Sequence, residues 1–149
     1  MGLDMYLTAR KHVNAWNEED ADQKGLSEVP VAGAKGLKVS AIEYRAAYWR
    51  KANAIHNWFV ENVQGGADNC AQYEVTAQQL EELRDECQRV IDNPKLGAEA
   101  LPTAKGFFFG STDYDEGYIE DLHYTIDAVN ELLATPRDYN WSFFYQSSW

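Results

Sequence analysis

Arg45, Trp49, Asn53 and His56 recur at spacings of four, four and three residues. On a helix, where successive residues turn by about 100°, that spacing sets a cation, an indole, an amide and an imidazole along one track. Ile42, Tyr48, Ala52, Ile55, Phe59, Val60 and Val63 fill the same wide arc with apolar side chains. A guanidinium inside an apolar arc is costly unless it is paired and hydrogen-bonded. Two readings follow. Either a carboxylate from another helix answers Arg45 and backbone satisfies His56, or the track lines a pocket for a small polar ligand. Arg50 and Lys51 fall on the other side of this helix, either solvated or flanking an anion. From Glu43 to Glu61 the chain holds Arg45, Arg50 and Lys51 against only those two acids. An anion would bind here sooner than elsewhere in so acidic a protein.

A second group is Ser111-Thr112-Asp113-Tyr114-Asp115-Glu116. Asp113 suits a helix N-cap with Glu116 at the capping-box position, and acids in a first turn complement the helix dipole. The alternatives are a divalent cation held by Asp113, Asp115 and Glu116, or a ligand met by Ser111, Thr112 and free amides. The spacing is not that of an EF-hand. Phe108, Thr112 and Tyr114 join Arg45, Tyr48, Trp49, Asn53 and His56 as candidate ligand-binding residues. From Asp113 to Glu131 the chain is acidic without Lys or Arg. That stretch is either a solvated face or a surface that imitates nucleic-acid phosphates. No Ser-His-Asp order, phosphate-cradling glycine loop or Cys-His nucleophile pattern occurs, so no catalytic residue and no cofactor is assigned.

These residues need elements to hold them. Met1 to Arg10 alternates apolar and polar, the pattern of a half-buried strand. Residues 17–38 carry Gly25, Pro30, Gly33 and Gly36 and predict a long loop, with a short strand near Val29–Val31. Ser40 and Glu43 have capping-box spacing, which predicts a helix from Ala41 to about Val63, ended by Gly65-Gly66. Gln72–Val75 predicts a short strand. Thr76 with Gln79 caps a helix over Ala77–Asp92, striped by Leu80, Leu83, Cys87, Val90 and Ile91. The Asp85–Arg89 pair supports its outer face. Gly106 to Gly110 predicts a short buried strand of three phenylalanines. A third helix follows Asp113 and runs to about Ala134, striped by Tyr118, Leu122, Ile126, Val129 and Leu133. Asn140–Gln146 ends the order as an aromatic strand with Trp141, Phe143 and Tyr145 on one face and Phe144 on the other. The expected fold is α+β: one domain, a small mixed sheet packed by three helices.

The composition bounds the function. The chain has 149 residues, 13 Lys plus Arg, 24 Asp plus Glu and a formal charge of −11. Hydrophobic residues make up 45%, too many for a disordered chain. No run approaches the roughly 20 apolar residues of a membrane span. The negative charge argues against direct nucleic-acid or anionic-lipid binding. Cys70 and Cys87 read as two reduced thiols of a cytoplasmic protein, and with His12, His56 and His123 they give no zinc spacing.

Four stretches carry a resemblance: Met1-Gly2-Leu3-Asp4-Met5-Tyr6-Leu7, the run Tyr48–Val60 (YWRKANAIHNWFV), Gly106–Asp115 (GFFFGSTDYD) and the ending Phe143–Trp149 (FFYQSSW). Together they resemble a family of small uncharacterised proteins encoded by bacteriophages and prophages. The resemblance brings no enzyme activity and no catalytic motif. It implies an accessory protein in the host bacterial cytoplasm that counters host defence. Three routes fit the residues. The first is a homo-oligomer that binds and sequesters a small nucleotide-type immune signal. The second is an acidic inhibitor or nucleic-acid mimic that captures a basic host defence protein such as a nuclease. The third is a metal-dependent enzyme that degrades a signal.

Overall fold

The computed structural model describes residues 2–14, 16–17, 37–137 and 140–149. The loop expected over 17–38 and the strand near Val29–Val31 fall largely or wholly outside those residues.

The alternating N-terminal pattern forms strand β1, Asp4–His12. Met5, Leu7 and Ala9 are buried on one face, while Asp4, Tyr6, Thr8 and Arg10 are only half-buried on the other. β1 is a central strand. It pairs antiparallel with β2, Ala41–Arg50, on one side and with β4, Trp141–Ser148, on the other. The short β3, Tyr73–Val75, pairs antiparallel with β4, which gives the order β2-β1-β4-β3. The fold is α+β, and among the described residues the sheet is wholly antiparallel rather than mixed.

The helix expected from Ala41 to Val63 is two elements. Ala41–Arg50 is strand β2, and helix α1 covers only Asn53–Asn62. A β-bulge explains the misleading period. Leu7 pairs with Ala47 but Thr8 pairs with Arg45, so Ala46 is an extra residue. The bulge shifts the alternation by one, so Ile42 and Tyr44 share a face with Ala47 and Trp49 instead of with Ala46 and Tyr48. Intervals of two, three and two residues imitate a helical stripe. The supposed cap residue Glu43 instead forms an ion pair with Arg10 across the strands.

Helix α2, Ala77–Asp92, forms where its sequence signals place it. Thr76 Oγ1 accepts from the Gln79 N–H at 3.1 Å, and Gln79 Oε1 accepts from the Thr76 N–H at 2.9 Å. Leu80, Leu83, Cys87 and Val90 are buried. On the outer face Arg89 pairs with Glu86, and Asp85 with Arg84, rather than Asp85 with Arg89. A 3-10 turn, Pro94–Leu96, leads into the single turn α3, Gly97–Ala100. Helix α4, Glu116–Ala134, packs on α2, with Tyr118, Leu122, Thr125, Ala128, Val129 and Leu132 buried. Ile126 and Leu133 of the expected stripe are partly buried at its margin.

The phenylalanine run is a turn, not a strand. The Phe109 N–H donates to the Gly106 carbonyl at 3.1 Å, and Phe109 is buried while Phe107 is 94% exposed. Folding Phe109 back over Gly106 leaves no room for a side chain there: a Cβ would lie 2.6 Å from the ring. One core joins the inner face of the sheet to the helices, and Tyr145 and Phe59 stack at its centre with ring centroids 3.8 Å apart. No helix among the described residues is long and apolar enough to cross a membrane. Neither cysteine is in a disulfide: Cys87 is buried, and burial pushes its thiol up to about 12, while Cys70 is half-buried.

The Thr76→Ala variant removes one half of a reciprocal cap and is expected to lose about 1 kcal/mol of stability. Urea unfolding followed by circular dichroism measures it, with an unchanged m value as the sign that only the cap was lost.

Candidate functional site

The junction between β2 and α1 is built under strain. Lys51 has φ +60°, a left-handed conformation that a residue with a side chain seldom adopts. Its N–H donates to the Leu3 carbonyl at 2.7 Å and its carbonyl accepts from the Asn53 N–H at 2.9 Å, which holds the turn closed. Gly110, with φ +84°, lies against the Lys51 side chain, where a Cβ would sit 3.1 Å from Lys51 Cβ. Asn53 then begins α1. Its side chain is buried and fully used: Nδ2 donates to the carbonyls of Phe109 and Ser111 at 3.0 and 2.7 Å, and Oδ1 accepts from the Ala104 N–H at 3.0 Å. One amide therefore ties residues 104–111 to the start of the helix.

A cleft of about 290 Å³ opens beside this junction. One wall is Arg50, Lys51 and the first turn of α1 through Asn53, Ala54 and Ile55. No side chain caps this helix end, and its first turn holds no acid. Uncapped amides, the positive end of the helix dipole and two cations therefore make this wall electropositive. Thr103 and Ser111 form part of the lining, and the opposite wall comes from the start of α4: Asp113, Asp115, Glu120 and Asp121. Asp115, not Asp113, is the cap of α4, since its Oδ1 accepts from the Tyr118 N–H at 3.0 Å. Burial pushes the Asp121 carboxyl up to about 6, with Glu120 and Asp115 adding repulsion.

The residues expected to share one helix track are separated. Trp49 is buried on the inner face of β2, and its Nε1 donates to Thr125 Oγ1 at 2.9 Å. Arg45 and Tyr48 lie on the outer face of the sheet, with the Arg45 guanidinium 4.4 Å from the Tyr6 ring centre. Arg45 is thus exposed rather than buried, and needs no buried carboxylate. His56 is in the core at 1% exposure, clear of the cleft. Its Nδ1 is 2.7 Å from the Tyr145 hydroxyl, and its Nε2 is 3.1 Å from Asp68 Oδ2, off hydrogen-bond alignment. Asp68 Oδ1 also accepts from Trp149 Nε1 at 3.1 Å. Burial raises the Tyr145 hydroxyl well above its ordinary value, so it stays protonated. This group joins α1, β4 and the loop after α1, and its evident work is structural.

Of the eight candidate ligand-binding residues only Asn53 lines the cleft, beside Arg50, Lys51 and Ser111, which the sequence offered only as alternatives. Thr112 and Tyr114 support it from behind: the Thr103 hydroxyl donates to the Thr112 carbonyl at 3.0 Å, and Tyr114 Oη accepts from the Thr103 N–H at 3.2 Å. The Phe108 carbonyl accepts from the Leu3 N–H at 3.0 Å, which anchors the turn to β1. Asp113 and Asp115 reach the cleft but Glu116 does not, and no group of three or more His, Cys, Asp or Glu among the described residues is arranged to hold a metal ion. Thr103, Glu120 and Asp121 were not legible as site residues. Nothing local in the sequence says that residue 103 faces the starts of two helices. No protein-family model, curated protein or solved structure matches the chain.

Two outcomes follow. Asn53→Ala strands two carbonyls and one N–H, and is expected to lose about 3 kcal/mol, measurable by urea unfolding. Asp121 has a folded pKa above its unfolded value, so the folded state holds the extra proton and stability falls as pH rises from about 4 to about 6. Asp121→Asn is expected to raise Tm at pH 7.5 and leave it unchanged at about pH 4, as read by thermal scans across that range.

Proposed function

We propose that this protein binds and holds a small phosphate-bearing ligand of the nucleotide type. The observation that carries the reading is the electropositive wall of the cleft: Arg50, Lys51 and the uncapped start of α1, in a chain whose net charge is −11. Guanidinium and ammonium groups beside free backbone amides are the groups that phosphate recognition uses. The facing carboxylates favour a ligand whose far end donates hydrogen bonds over a bare anion. Following the resemblance to phage-encoded proteins, the ligand is a nucleotide immune signal and the protein a counter-defence sponge in the bacterial cytoplasm, acting as a homo-oligomer.

The test is a thermal-shift screen against cyclic oligonucleotides and ADP-ribose derivatives, with and without magnesium. Binding to the folded state at a hundredfold excess over Kd adds about 2.7 kcal/mol, which is several degrees in Tm. Arg50→Ala and Lys51→Ala are each expected to cut the shift, and the ligand should be recovered intact after heat denaturation. A fresh product instead of intact ligand would establish turnover and end the sponge reading. Protonation of Asp121 reduces the negative charge of the cleft, so a phosphate-bearing ligand should bind more tightly at pH 5.5 than at pH 7.5.

A second reading rests on the helical layer. α4 exposes Glu116, Glu120, Asp127 and Glu131, and the adjoining α2 exposes Glu81, Glu82 and Asp85. Such a surface suits a basic protein partner, for instance a nuclease. Charge reversal at Glu116, Glu120 and Asp127 should abolish capture of that partner, and capture that survives the reversal counts against this reading.

A further inference from the structure

The outer face of the sheet meets the cleft at Arg50. Strand register sets Arg50, Asp4 and Ser148 in one row, Tyr48, Tyr6 and Gln146 in the next, and Arg45, Thr8 and Phe144 in a third. Three rings stand on this face, and two cations lie over them: Arg45 over Tyr6 and Arg10 over Phe144 at 4.4 and 4.3 Å from the ring centres. Tyr48 is 40% exposed, and its hydroxyl donates to Asp4 Oδ1 at 2.5 Å. The Tyr6 and Tyr48 centroids are 5.5 Å apart. Arg50 belongs to both places: its Nη1 is 4.0 Å from Asp4 Oδ1 on the sheet, and it lines the cleft.

We propose that Tyr48, with Tyr6 and Arg45 beside it, stacks the nucleobase of the ligand whose phosphate lies against Arg50 and Lys51. The proposal rests on the cleft reading above and adds to it the part of the ligand that confers identity. Stacking on an aromatic side chain contributes about 1–3 kcal/mol per base and tolerates any base. Tyr48 is already oriented by Asp4, so little side-chain freedom remains to be lost on binding. Residues two apart on a strand stand about 6.8 Å from each other, a span that suits a base and its own phosphate. The charge balance of the face also fits. On this face Arg10, Arg45 and Arg50 offset Asp4, Glu43 and Glu74, so it is locally neutral in a protein of charge −11.

Titration calorimetry with four probes tests it: AMP, GMP, ribose 5-phosphate and adenosine. A nucleoside monophosphate is expected to bind wild type about tenfold more tightly than ribose 5-phosphate. Tyr48→Ala should erase that ratio while leaving ribose 5-phosphate affinity unchanged, and Tyr48→Phe should keep most of it. Circular dichroism confirms that each variant is folded. Equal affinity for AMP, GMP and ribose 5-phosphate in wild type, or a ratio that survives Tyr48→Ala, overturns the base platform and leaves the phosphate cleft standing. Failure of AMP, GMP and adenosine all to bind also overturns it. Adenosine binding that depends on Tyr48, with no binding of ribose 5-phosphate, supports the platform and rejects the cleft.

Discussion

The Asn53 side chain is shut away from water, so each of its polar atoms needs a protein partner, and it finds them in one place. Two carbonyls and one N–H between Ala104 and Ser111 meet the amide, and that segment has no regular structure of its own to order it. The consequences propagate outward. Once the segment is fixed, Phe108 can accept from Leu3, Gly110 can press on Lys51, and Ser111 can stand at the cleft. The same amide starts α1, so the cation wall and the far side of the cleft share a common anchor. A loop held by one saturated amide behaves as part of the core although much of it is exposed.

The charge of the molecule is segregated more sharply than its net value suggests. The helical layer presents Glu81, Glu82, Asp85, Glu116, Glu120, Asp127 and Glu131 to solvent. The outer sheet face carries arginines over aromatic rings, and the two regimes meet where β2 passes into α1. Among the described residues, an approaching anion meets carboxylates along the helical layer and arginines on the outer sheet face.

Much of the fold is legible in the chain because its signals are local. Thr76 and Gln79 mark the start of α2, and Trp141, Phe143 and Tyr145 alternate as a strand must. β2 misleads because the bulge at Ala46 resets a period of two into something that scans as a helix, and Ser40 with Glu43 supplies a false cap. The phenylalanine run misleads because hydrophobicity reads as burial, whereas its conformation is set by Gly106 and Gly110. The site suffers most from the β2 error. Placing Arg45 and His56 on one helix joins residues that stand on opposite faces of the sheet. Asn53 is legible at the border of the apolar arc, whereas Arg50 and Lys51 read equally as solvated cations or as flanks of an anion. Their convergence with Thr103 and Asp121 is tertiary and has no local signature.

Among the described residues β2 lies at the sheet's edge, and α4 reaches over it. Tyr124 Oη accepts from the Tyr48 N–H at 3.1 Å, and the Tyr124 ring stands edge-on to Trp49. A side chain thus occupies a ladder position that another strand would otherwise take. The contact makes α4 a guard against strand addition as well as a core helix. Fraying of α4 around Tyr124 would bare the Tyr48 donor together with Trp49, an apolar ring beside an open hydrogen-bond site. Exposure of this strand edge is therefore coupled to the local stability of one helix rather than to global unfolding alone.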